Sequence, residues 1–163
     1  MKSLYSRSLD GVDRVARWAI ICASAVMIAI VTLQIVLRYA FNSSIDWSDE
    51  LSRLLFVWCM FLAIPLGIRE GAHVGVELLV AHVPAAVRAQ LLKACALVSA
   101  AMMAVVFWQA VKISLLTWDE MMQSTNLSTN WFMVPVAIAA AHSFLHLIQL
   151  LWREPVRTIQ AVE

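Results

Sequence analysis

The side chains best placed to do chemistry are His142 and His146, ionisable groups four residues apart and well inside a long apolar stretch. That spacing puts both on one face of a helix, where they could hold a metal ion or serve as axial ligands to a haem. A single haem between two histidines needs one on each face of its ring, which calls for different helices, and no other apolar stretch of comparable length contains a histidine. The zinc-protease pattern also lacks its glutamate, because the residues run His142-Ser143-Phe144-Leu145-His146. The pair therefore reads first as neutral histidines hydrogen-bonded to a neighbouring helix, with no metal and no cofactor assigned.

Carboxylates are the next candidates. An ion-coupled carrier needs an ionisable group or an unwound helix facing a cavity near the bilayer midplane, because something must bind and release the charge. Asp10, Asp13, Asp46, Asp49, Glu50, Glu70, Glu77, Asp119, Glu120, Glu154 and Glu163 all fall in termini, loops or helix ends. This distribution disfavours an autonomous proton antiporter and an enzyme working by paired carboxylates. The expectation is a chain with no buried titrating centre of its own and no catalytic site. Gln34, Gln109 and Gln149 are single amides in three different stretches, read as hydrogen-bonding glue between helices. Cys22, Cys59 and Cys95 have no Cys-x-x-Cys spacing and read as small buried hydrophobes.

The elements that position these residues follow from composition. Of 163 residues, 62% are hydrophobic and 14% charged, against about 45–50% and 25% in a soluble domain. A net charge of +1 without basic clusters gives no footprint for a nucleic acid. Uncharged runs cover Trp18 to Leu37, Ala94 to Val111 and Trp131 to Trp152, and a fourth, Leu54 to Ile68, extends back to Trp47 without a helix breaker. About 20 residues at roughly 1.5 Å rise cross the hydrocarbon core. The fold class is therefore an all-α membrane protein. The whole chain, 1–163, is one domain with spans at about 18–38, 47–68, 91–116 and 131–152 and a tail at 153–163.

Nine Lys and Arg residues in short loops and ends fall on the side of both termini and three on the other, so both termini are expected in the cytoplasm. Residues 1–17 read as a short amphipathic helix in the cytoplasmic interface, with Leu4, Val12, Val15 and Ala16 towards lipid and Arg7, Asp10, Asp13, Arg14 and Arg17 on the polar face. His73 to Val83 could lie in the interface likewise. Trp18, Trp47, Trp108, Trp118, Trp131 and Trp152 read as headgroup anchors. Trp58, with Trp47, Leu51, Leu54 and Phe61, forms a bulky helical stripe that is either core or partner surface.

The densest charge lies between the first two spans. Asp46 can cap the second helix, Asp49 and Glu50 sit where its dipole favours anions, and Arg53 is pairable with both. Either this is a capped helix with a snorkelling Arg53, or Arg38, Asp49, Glu50 and Arg53 meet another polypeptide. Spacing alone leaves both open.

Residues 38–58 carry a resemblance. Arg38-Tyr39-Ala40-Phe41-Asn42, then Trp47-Ser48-Asp49-Glu50 and Arg53-Leu54-Leu55-Phe56-Val57-Trp58, resemble the signature of the small membrane subunit of tripartite ATP-independent periplasmic (TRAP) transporters. Arg69-Glu70-Gly71-Ala72-His73-Val74, Glu77-Leu78-Leu79, Pro84, and Trp131 with Pro135 extend the match, while Ser128-Thr129-Asn130 departs from the family's approach to the fourth span. The resemblance implies a four-helix scaffold subunit in the bacterial inner membrane, without enzyme activity. Its partners would be membrane lipid, a large permease subunit carrying the sodium and substrate sites, and a periplasmic binding protein delivering an organic acid. Arg38, Trp47, Asp49, Glu50, Arg53 and Trp58 are then the residues expected to touch the large subunit or to shape the turn that does. The competing expectation is a membrane anchor of a respiratory enzyme, with haem at His142 or His146.

Overall fold

The computed structural model describes residues 2–43, 45–69 and 84–152. Four helices carry them: α1 (Lys2–Ala40), α2 (Asp46–Arg69), α3 (Ala85–Leu116) and α4 (Val134–Trp152), with a 3₁₀ turn at Thr129–Phe132 before the last. Among the described residues, four segments are long and apolar enough to cross a membrane: Leu9–Ala40, Asp46–Arg69, Gln90–Leu116 and Thr129–Leu151. His73 to Val83, the motif stretches within it and the tail at 153–163 lie outside the described residues.

Local chemistry explains where the helices stop. Asn42 takes a φ of 49°, a left-handed conformation that asparagine tolerates better than most side chains. The turn it makes lets the amides of Phe41 and Ser43 bond back to the Leu37 carbonyl at 3.1 and 3.2 Å. At the start of α2 the Ser48 hydroxyl donates to the Ile45 carbonyl at 2.7 Å, with Asp46 and Asp49 in the first turn where the dipole favours them. Pro65 is buried within α2 and has no N–H to donate, so the helix gives up one internal hydrogen bond there. Thr117 closes α3 with its amide on the Ile113 carbonyl at 2.9 Å.

The helices pack in the order α1, α2, α4, α3. Small buried residues line the packed faces: Ala96, Ala100 and Ala110 on α3, Ala139, Ala140 and Ser143 on α4. Such residues let helix backbones approach closely in lipid, where packing rather than water expulsion drives association. The outward faces are apolar, with Val26, Ile28, Ile35, Leu97, Val98 and Val105 all exposed. The bulky stripe of α2 faces inward, since Leu54 is buried and Leu51, Trp58 and Phe61 are half-buried, while Trp47 at its end is exposed.

The N-terminal segment corrects the sequence reading in two ways. It is not a separate element, because α1 runs without a break from Lys2 to Ala40. One residue also takes a face other than the one expected: Asp13, read as part of the polar face, is buried with Leu9 and Ala16, whereas Asp10, Arg14 and Arg17 are exposed. The physical reason is helical phase. The inward stripe of the first span, Ile20, Ser24, Met27, Ile30, Gln34 and Leu37, continues backwards at steps of three and four through Ala16, Asp13 and Leu9.

Candidate functional site

Two polar assemblies occupy opposite ends of the bundle. The first is at the start of α2. The Glu50 carboxylate accepts the amides of Ser124 (3.0 and 3.1 Å) and Thr125 (2.9 Å) and the Thr125 hydroxyl (2.9 Å), so it clamps the loop between α3 and α4. That loop also ties itself together: the Met122 amide donates to Leu127 O at 2.9 Å and the Thr129 amide to Glu120 O at 2.7 Å. The Ser128 hydroxyl donates to Trp118 O at 2.7 Å and accepts from the Asn130 amide at 3.2 Å, capping the 3₁₀ turn. This cap stands where the sequence departs from the family pattern, and Pro135 sits in the first turn of α4, where its missing N–H costs nothing.

Around this clamp the six residues expected to meet a partner separate into two groups. Glu50 and Trp58 work inside the chain: the Trp58 indole N–H donates to the Trp131 carbonyl at 3.1 Å and its ring lies 6.2 Å from that of Trp131. Arg38, Trp47, Asp49 and Arg53 are exposed. Asp49 and Arg53 pair with each other at 3.0 Å. The exposed aromatics Tyr39, Phe41 and Trp47 surround the turn between α1 and α2.

The second assembly is at the other end, where the start of α1 meets the ends of α2 and α4. Asp13 is 2% exposed and His142 and His146 are each 5% exposed. Asp13 Oδ1 lies 2.9 Å from His142 Nε2 and 3.0 Å from His146 Nε2, and the two nitrogens are 3.1 Å apart. The other carboxylate oxygen receives Arg69, which also reaches Asp10. A cavity of about 270 Å³ opens beside this group, lined by Asp10, Arg69, His146 and Gln149 among others.

The histidines are thus hydrogen-bonded to a neighbouring helix as expected, but the expectation of no buried titrating centre is overturned by Asp13. Both Nε2 atoms converge on one carboxylate oxygen, an arrangement in which a single iron could not have one histidine on each face of a haem. Asp10, Asp13 and Arg69 were missed because each sits near an end of its apolar run, where charge is ordinary. The signal that could have found Asp13 is its place on the inward stripe of α1, four residues after Leu9 and three before Ala16.

With the geometry in place, likeness to known proteins decides the family. The model of the tripartite ATP-independent periplasmic transporters, DctQ component, matches residues 27–156. The chain belongs to this family. It is similar to a Haemophilus influenzae protein named as a TRAP transporter small permease, with 29% identity covering 81% of this chain and 80% of that protein. It is also similar to the C4-dicarboxylate TRAP transporter small permease DctQ of Vibrio cholerae, 26% identical over 53% of this chain and 38% of that one. A third likeness, 37% over 36% of this chain, is to the sialic acid TRAP transporter permease SiaT of Haemophilus influenzae, of which it covers 10%. The protein is a TRAP small permease subunit, a multi-pass protein of the inner membrane. A transporter subunit replaces the respiratory anchor as the reading of this fold.

Proposed function

We propose that this small permease is the static brace of a sodium-coupled importer of an organic acid, seated against a large permease subunit and supplied by a periplasmic binding protein. It does no chemistry itself. Sodium and substrate would bind the large subunit. The observation that carries the reading is the surface at the turn between α1 and α2, where Arg38, Tyr39, Phe41, Trp47, Asp49 and Arg53 are all exposed. Aromatic and arginine side chains gathered on one surface are what protein interfaces enrich, and Glu50 and Trp58 stiffen the elements beneath. The SiaT likeness supports a large partner, since a stretch similar to this chain forms 10% of a longer permease polypeptide.

The lysine and arginine tally supports a reading with both termini in the cytoplasm, in which the interface turn and the Glu50 clamp lie at the periplasmic edge and the Asp13 cluster at the cytoplasmic one. Reversing the charge at the turn tests the contact. The Arg53→Glu variant is expected to reduce co-purification of the large subunit or to lower uptake by the assembled transporter. Undiminished recovery of the complex with normal uptake removes Arg53 from the interface.

A further inference from the structure

We propose that Asp13, His142 and His146 form a binding site for a divalent first-row transition metal ion of the zinc class, which pins the start of α1 to α4. The three ligand atoms, Asp13 Oδ1 and the two Nε2 atoms, lie 2.9, 3.0 and 3.1 Å from one another. Tetrahedral zinc with ligands at about 2.0–2.2 Å holds them roughly 3.3 Å apart, so an ion reaches all three with shifts of a few tenths of an ångström.

Proton bookkeeping points the same way. With Asp13 ionised against Arg69, its oxygen is acceptor-only, and each Nε2 offers either one N–H or one lone pair. If both nitrogens carry protons, two N–H groups face each other at 3.1 Å. If only one does, the other turns its lone pair on the carboxylate oxygen about 3 Å away. No assignment of neutral imidazoles satisfies all three contacts, whereas a cation satisfies three lone pairs at once, and unsatisfied polar contacts between buried groups are costly.

The surroundings suit such an ion. Arg69 holds Asp13 by its second oxygen, orienting the ligating one as an outer-shell partner does. Asp10 and Asp13 share the Arg69 guanidinium, so two carboxylates stand at this end of the bundle to meet a cation. The cavity beside His146 leaves room for a water as fourth ligand. The ligand set of two imidazoles and a carboxylate suits zinc, and geometry alone also admits cobalt, nickel or copper.

The test uses the full-length chain, purified in detergent without a histidine tag, equilibrated with micromolar Zn²⁺ and then dialysed against metal-free buffer. Elemental analysis is expected to find about one zinc per chain, falling at least tenfold in the Asp13→Asn and His142→Gln variants. Co²⁺ in place of zinc is expected to give the visible absorption of a four-coordinate ion in the unmodified chain, a readout that does not depend on any variant folding. Zinc at background in the unmodified chain, the same zinc content in well-folded variants, or only the weak spectrum of hydrated Co²⁺ would each overturn the proposal.

Discussion

At the start of α2, one carboxylate reaches out to a loop, and at the far end of the bundle another is enclosed by three helices. Glu50 serves two backbone amides and a hydroxyl in a solvated setting, where water can replace any partner that leaves. Asp13 serves two histidines and an arginine and is almost wholly buried, where a lost partner is harder to replace. The first arrangement shapes a loop; the second couples α1, α2 and α4. Equal formal charge therefore has unequal consequences, set by how dry the site is.

Substitutions can widen or erase this contrast. The largest effect is expected for Asp13→Ala, which leaves Arg69 and the histidine pair without their shared acid. Breaking a buried charge pair costs about 3–5 kcal/mol, and the lower end applies because the Arg69 side chain is 40% exposed. Thermal unfolding in detergent reads this out, and an unchanged midpoint would dissolve the distinction between the two ends. Next comes Trp58→Phe, which keeps an aromatic ring of smaller size and removes the indole N–H bond to the Trp131 carbonyl, the bond alone being worth about 0.5–1.5 kcal/mol in the same assay. Smallest in global stability is Glu50→Ala. Its expected signature is local: faster amide exchange at Ser124 and Thr125 with the unfolding midpoint retained. A global loss as large as that of Asp13→Ala would mean the clamp is as integral as the buried cluster.

The contrast also explains how far the sequence could be read. The four spans follow from uninterrupted apolar runs, and the family from residues 38–58, because both signals are local. Asp49 and Arg53 pair at a spacing of four, as neighbours on a helix surface do. Glu50's true partners stand 74 and 75 positions away, and no local pattern encodes them. The Asp13 to His146 contact spans 133 positions. It depends on α1 continuing through its charged start in the phase of its apolar part, whereas residues 1–17 read alone, as an interfacial helix, turn Asp13 to the wrong face. The histidine pair was visible on one face of its helix; the acid that completes it was not.

The claim that this chain braces a transporter without being one is most directly tested by reconstitution. Liposomes containing the chain alone should show no sodium-dependent uptake of organic acids, with uptake arising once the large subunit and the binding protein are both supplied. Sodium-driven accumulation by this chain alone would contradict the account.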